Sequence, residues 1–81
     1  MKEDLEDRIK KIGFLLRRQR RMQNLSQKAL GEKLAEYDQK EEPYTAQYIS
    51  AVERGGDLRV STLIRQLDVL GLEFIIQDKE K

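Results

Sequence analysis

The sequence predicts an all-α protein of one domain that ends in a short β-strand. Its 81 residues include 38% hydrophobic and 38% charged residues with a single Pro and no Cys, a composition typical of one small, helix-rich domain. Apolar residues recur every three or four positions in four separate segments. After Gly71 the spacing changes to alternation. We therefore expect four helices over residues 1–72 and a strand with a tail over residues 73–81.

The first helix is predicted over residues 4–24, with Asp4 as its N-cap. Apolar residues form the expected buried stripe: Leu5, Ile9, Ile12 and Leu16, widened by Phe14 and Leu15. Four arginines lie toward the C-terminal end: Arg17, Arg18, Arg20 and Arg21. This charge placement suits the helix dipole, so we expect only one or two of these arginines to contact a nucleic acid.

A second helix is predicted from Ser26, its N-cap, after Asn24 has ended the first helix in a left-handed conformation. Leu30 and Leu34 face the core. Gly31 inside this helix predicts that a neighbouring backbone approaches too closely for a side chain, as where two helices cross steeply.

The second helix is expected to continue through Tyr37 until the polar loop Gln39 to Pro43 stops it. A third helix follows from Thr45, its N-cap, to Gly55. Ile49 and Val52 share its buried face. Other faces of this helix carry Gln47, Tyr48, Ala51 and Arg54. One side of this helix is therefore available to a ligand.

A turn from Gly55 to Arg59 leads to a fourth helix, for which Ser61 is the expected cap. Its apolar residues are Val60, Leu63, Ile64, Leu67 and Leu70. Gly71 ends it, and residues 72–77 alternate as in a strand.

A lone strand has an unpaired edge, so we expect this one to pair with its copy in a second chain. The expected dimerisation residues are Leu72, Phe74, Ile75 and Ile76. The alternative is that the segment folds back over the core of its own chain.

Charge and residue usage narrow the classes of function. Residues 1–35 carry ten basic and five acidic residues, whereas residues 36–81 carry six and ten, and the basic half can contact phosphates. The alternative is a solvated charged surface. With no His, no Cys and no phosphate-binding loop, we expect neither an enzyme nor a metal site nor a cofactor. No apolar run reaches the length of a membrane span and the N-terminus is too charged for a signal peptide, so we expect a cytoplasmic protein that does not contact membranes.

Three segments carry a resemblance to a known family: IGFLLRRQR from Ile12, LSQKALGEKLA from Leu25 and YISAVERG from Tyr48. In this order they resemble the lambda-repressor/Cro-like helix-turn-helix family, also called XRE-type. The resemblance implies a domain of four or five helices in which helix 2 crosses the DNA backbone and helix 3 enters the major groove. It also implies dimers that bind pseudo-palindromic operators in double-stranded DNA.

The family's DNA-binding positions correspond here to Gln27, Lys28, Thr45, Ala46, Gln47, Tyr48, Ala51, Arg54 and Arg59. Gln27 is expected to contact phosphate and to brace helix 3, and Gln47 is the best candidate for reading a base, since an amide can pair bidentately with adenine. Tyr48 is expected at a thymine methyl or a phosphate, and Arg54 and Arg59 at the DNA backbone. Arg20 and Glu53 correspond to an internal ion pair.

The chain departs from the family pattern by about eight residues between Ala35 and Tyr44, which extend helix 2 and its turn. Four of them are acidic, Glu36, Asp38, Glu41 and Glu42, and are expected to project away from DNA. Ala46 and Ala51 lack polar groups, so we expect recognition to rest partly on methyl contacts and DNA shape.

The leading functional hypothesis is a homodimeric, sequence-specific transcriptional regulator, most simply a repressor. The segment VSTLIRQLDVLGLEFII resembles the tail of HipB-type antitoxins, so the alternative is an antitoxin that binds a partner toxin and represses its own operon. A third hypothesis is a helical scaffold that does not bind DNA.

Overall fold

A computed structural model describes residues 4–56 and 59–79 of the chain. These residues contain four helices and no strand: α1 (Leu5–Met22), α2 (Gln27–Tyr37), α3 (Ala46–Glu53) and α4 (Val60–Val69). The all-α prediction is therefore confirmed. The predicted turn between the third and fourth helices includes residues 57 and 58, which lie outside the described residues.

Three of the four predicted helix caps are present. The side chains of Asp4, Ser26 and Thr45 each accept a hydrogen bond from the backbone N–H three residues later, at 2.8, 2.9 and 3.1 Å. Each bond satisfies a backbone donor that has no partner within its helix. The fourth cap was predicted wrongly, because α4 begins one residue before Ser61. Arg59 occupies the N-cap position and makes no side-chain capping bond.

The core lies where α3 packs against α1 and α2, and α4 packs against α2. Its buried apolar residues are Leu16, Leu30, Leu34, Ile49, Val52, Leu63 and Leu70. All seven were expected to face the interior. Leu30 and Ile49 have no exposed surface at all, so α2 and α3 meet at the centre of the domain.

The predicted apolar stripes include residues that are not buried. On α1, Leu5, Phe14 and Leu15 are exposed, and on α4 Val60 and Ile64 are exposed. These five predictions of burial are wrong. Leu5 is exposed because the C-terminal end of α3 lies beside Gly13 and Lys10, so the first turn of α1 projects beyond the core.

Gly31 lies where another backbone comes close, as predicted. A Cβ atom there would overlap the carbonyl oxygen of Tyr44, and the Tyr44 N–H donates to the Gly31 carbonyl at 3.2 Å. The neighbour is the segment that leads into α3 rather than a crossing helix. Gly13 has a similar role, because a Cβ there would lie 2.6 Å from the Glu53 carbonyl oxygen.

The chain leaves α4 through Gly71, which has a left-handed φ of 72°, and Asn24 has the predicted left-handed conformation with a φ of 58°. Leu72 is half-buried, and its N–H donates to the Leu67 carbonyl at 2.7 Å. Residues 73–79 continue without a strand in the single chain, and Phe74 and Ile76 are exposed. Pairing of this segment with a second chain stays a prediction.

None of the four helices in the described residues is long and apolar enough to cross a membrane.

Candidate nucleic-acid interface

The outer face of α3 is held toward solvent by the burial of its opposite face. Ile49 and Val52 anchor the helix in the core. Because successive residues of a helix are rotated by about 100°, residues two turns apart share a face and those opposite Ile49 point outward. We call this outward set the α3 face: Gln47, Ser50, Ala51 and Arg54. Ser50 is half-buried and the other three are exposed.

A buried ion pair fixes the C-terminal end of α3 against α1. Arg20 donates from Nε to Glu53 Oε2 at 2.7 Å and from the terminal guanidinium nitrogen to Oε1 at 3.1 Å. Its other terminal nitrogen donates to the Leu25 carbonyl at 2.6 Å. Both charged residues are only 6% exposed. The pair implied by the family resemblance therefore forms, and it joins α1, α3 and the entrance to α2 at one point.

Gln27 braces α3 through the same carboxylate. Its side-chain amide donates from Nε2 to Glu53 Oε1 at 3.2 Å, so Glu53 receives hydrogen bonds from both α1 and α2. Lys28 follows Gln27 in the first turn of α2 and is exposed. These two residues place an amide and an ammonium group at the positive end of the α2 dipole, which favours an anion nearby.

A cleft lies beside the α3 face, between α1 and the C-terminal end of α3. We call it the arginine cleft; the Arg20–Glu53 pair and five further residues line it, Arg17, Arg21, Gln27, Ser50 and Arg54. Within the described residues, the side chains of Arg17, Arg21 and Arg54 make no hydrogen bond or ion pair. The cleft therefore presents three uncompensated positive charges.

The opposite flank of α3 is closed by aromatic packing. Tyr48 stacks on Tyr44 with ring centroids 5.1 Å apart, and its hydroxyl donates to Thr62 Oγ1 at 3.3 Å. Tyr48 is half-buried and connects α3 to α4. Its hydroxyl is thus engaged within the chain, whereas Gln47 has no such contact among the described residues.

The extra residues between α2 and α3 are attached to α4 rather than loose. Asp38 accepts a hydrogen bond from the Tyr44 hydroxyl and lies 3.4 Å from Arg65 Nε. Lys40 lies over the ring of Tyr44, with its Nζ 4.3 Å from the ring centroid. Of the four acidic residues in the insertion, Asp38 is therefore turned toward α4, while Glu36, Glu41 and Glu42 are exposed.

The remaining candidate residues lie around the α3 face. Thr45 uses its hydroxyl as the α3 cap, and Ala46 is exposed at the start of the helix. Arg59 is exposed at the start of α4, near Tyr48 and Thr62. Gln27 and Arg54 line the same cleft, and Gln47 shares a helix face with Arg54. The structure therefore brings Gln27, Gln47 and Arg54 to one side of the domain, whereas Arg59 lies on the flank of Tyr48.

The sequence reasoning missed Ser50 and did not assign Arg17 or Arg21 individually. Two spacings contained the signal. Ser50 lies three residues after Gln47 on α3, and Arg21 lies four residues after Arg17 on α1, so each pair shares a helix face. What the sequence lacked was the relative placement of the two helices, which brings those faces together.

The described residues bring together no group of three or more acidic, His or Cys side chains that could hold a metal ion. The sequence matches no protein-family model and no curated protein.

Proposed function

We propose that the protein is a sequence-specific DNA-binding regulator in which α2 and α3 form a helix-turn-helix with an extended connection. The observation that carries this proposal is the α3 face, where an exposed amide, two small side chains and an arginine project from a helix anchored by Ile49, Val52 and the Arg20–Glu53 pair. The major groove of B-DNA is wide enough to admit such a helix.

In this proposal α3 lies in the major groove and Gln47 reads a base. An amide side chain can donate to and accept from adenine at the same time, which gives it preference for one base pair over the others. Ala46 and Ala51 leave space for thymine methyl groups, and Arg54 contacts the DNA backbone. Recognition therefore combines one hydrogen-bonding residue with methyl contacts and DNA shape.

The first turn of α2 lies against the adjoining phosphates. Gln27 and Lys28 stand at its N-terminus, and Gln27 also holds Glu53, so contact with the backbone and orientation of α3 depend on the same side chain. Contacts of this kind position a protein on the duplex without carrying sequence information.

We also propose that the regulator is a homodimer that represses by occupying a two-fold symmetric operator. Support comes from the apolar groove between α1, α4 and the C-terminal segment. It is lined mostly by apolar side chains, among them Ile12, Leu15, Leu63, Leu67, Leu72, Phe74 and Ile75. Another chain could cover these apolar side chains. Strand pairing of residues 72–76 across a two-fold axis would cover them.

A toxin partner is the second candidate for the same apolar groove, as the tail's resemblance to antitoxins implies. Sedimentation of the purified chain separates the two proposals. A dimer at micromolar concentration supports self-association through this surface, whereas a monomer with the groove uncovered favours a different protein as its partner.

The test of DNA binding compares wild type with Gln47→Ala on a duplex selected by the wild type and on a random duplex. We expect Gln47→Ala to lower the ratio of the two affinities by about tenfold or more, because a bidentate contact gives about 1–3 kcal/mol of discrimination. Gln77→Ala, which removes the same side chain from the exposed tail, is expected to leave the ratio unchanged. An unchanged ratio for Gln47→Ala would contradict the assigned role.

A further inference from the structure

We propose that the arginine cleft binds phosphate groups of the DNA backbone, and that Arg17 and Arg21 of α1 are its principal ligands together with Arg54. This inference rests on the proposed function. It extends the contact surface from α2 and α3 onto the C-terminal half of α1, which the sequence alone assigned mainly to balancing the helix dipole.

Arginines from two helices converge on the arginine cleft. Arg17 and Arg21 are four residues apart on α1, so their side chains leave the same side of the helix about 6 Å apart. Arg54 follows the last residue of α3. All three line one cleft although they come from two helices that are far apart in the sequence. The α1 dipole can account for Arg21 in the last turn, but it accounts neither for Arg17, which precedes that turn, nor for Arg54.

The arginine cleft has more positive than negative charge. The only acidic residue that lines the cleft is Glu53, whose two carboxylate oxygens already accept hydrogen bonds from Arg20 and Gln27. Among the described residues nothing neutralises Arg17, Arg21 and Arg54. Three guanidinium groups held near one another without an anion repel each other, and a bound anion relieves that repulsion.

The hydrogen-bond donors of the cleft suit a phosphate group. Guanidinium groups match phosphate oxygens with pairs of parallel hydrogen bonds, and the Ser50 hydroxyl and Gln27 amide add neutral donors to the same cleft. Ser50 also belongs to the α3 face. A strand whose bases face Gln47 would therefore carry its phosphates past Ser50 into the cleft.

The test uses two double variants with equal loss of charge. Arg17→Gln/Arg21→Gln removes two cleft arginines. The matched control is Arg8→Gln/Lys33→Gln, in which Arg8 lies in the first half of α1 and Lys33 lies on α2 beside Glu36. All four residues are exposed, so both variants should fold, and thermal melts of each verify this.

We expect the cleft variant to bind duplex about 30-fold more weakly at 0.15 M salt, with the slope of log K against log salt smaller by about 1.8, as for two lost phosphate contacts. A selected duplex and a random duplex should be weakened equally, because phosphates carry no sequence. The control variant should lose less than about threefold. Ethylation of individual phosphates should reveal one or two positions that block wild type but no longer affect the cleft variant.

Two outcomes would overturn the inference in distinguishable ways. If wild type binds duplex and the cleft variant behaves like the control in affinity, salt slope and ethylation pattern, the arginine cleft is not a phosphate site while the proposed function stands. If wild type binds no duplex even at 50 mM salt, both the proposed function and the cleft fail.

Discussion

The polar side of the domain is supported by a buried hydrogen-bond network, whereas the apolar side leaves large side chains exposed in the single chain. On the polar side, the α3 face and the arginine cleft rest on Arg20 and Glu53, whose charged groups are joined to each other, to Gln27 and to the Leu25 carbonyl. The apolar side consists of the groove between α1 and α4 with the C-terminal segment. There Phe74, Ile75 and Ile76 are 53%, 62% and 86% exposed.

We infer from this difference that the two sides bind different partners. A surface whose supporting bonds are complete is rigid before its ligand arrives, so little ordering opposes the binding of a polar partner. A surface that leaves large apolar side chains in water gains free energy when another chain covers it. These differences are the basis for our proposal that the polar side binds DNA and the apolar side binds a second copy of the chain.

The largest effect is expected from Glu53→Ala. This change leaves the buried Arg20 guanidinium without its carboxylate, and breaking a buried pair by removing one partner costs about 3–5 kcal/mol. Urea unfolding measures the loss. Gln47→Ala, on the exposed side of the same helix, should change the free energy of unfolding by less than about 0.5 kcal/mol. A loss below about 1 kcal/mol for Glu53→Ala would show that the ion pair does not support the α3 face.

The next effect concerns the apolar side. Ile75→Asp should raise the dissociation constant of the proposed dimer by about 100-fold or more, because a carboxylate would replace an apolar group in the proposed contact and would lose its hydration there. Sedimentation equilibrium measures this change. Gln77→Asp adds the same charge at an exposed position two residues later and should leave the dimer intact. Equal dissociation constants for Ile75→Asp and wild type would exclude this segment from the interface.

A smaller effect is expected at Gln66, a buried polar residue of α4. Its side chain has no exposed surface, and neither its amide nitrogen nor its amide oxygen has a hydrogen-bond partner among the described residues. Gln66→Met keeps a similar shape and removes the unpaired polar atoms, so we expect about 1–2 kcal/mol of stabilisation by urea unfolding. Gln19→Met, at a half-buried position of α1, controls for the general effect of a methionine. Destabilisation by Gln66→Met would mean that the amide makes favourable bonds.

The smallest effect concerns the edge where α2 meets α4. The Tyr37 hydroxyl donates to Asp68 Oδ2 at 2.7 Å, and this hydrogen bond, together with the negative charge of Asp68, raises the pKa of Tyr37 above its ordinary 10.0. Because the folded pKa exceeds the unfolded one, the stabilisation is present below pH 10 and is lost as pH rises through the folded pKa. The difference in melting temperature between wild type and Tyr37→Phe should therefore shrink as pH is raised above 10. A difference that does not change with pH would contradict this coupling.

The sequence predicted the parts of this structure that depend on neighbouring residues. The caps at Asp4, Ser26 and Thr45 follow from side chains that reach their own backbone, and burial of Leu30 and Ile49 follows from helical spacing. These features need no knowledge of the rest of the fold, because the interacting groups are at most one helical turn apart.

The features that the sequence did not predict depend on how the helices pack against one another. Helical spacing made Leu5 look buried, but no helix of the described chain reaches its end of α1. Gln66 has a polar side chain and yet lies in the core, and Asp38 meets Arg65 across 27 positions of sequence. The arginine cleft is a feature of the same kind, since Arg17, Arg21 and Arg54 converge only when α1 and α3 are packed together.

Binding of DNA by α3 can be followed by recording backbone amide resonances of the protein while a short duplex is added. We expect the largest changes at Gln47, Ser50, Ala51 and Arg54, with changes at Arg17 and Arg21, while the amides of residues 74–76 stay unchanged. Changes concentrated in residues 74–76, or no changes in α3, would contradict this expectation.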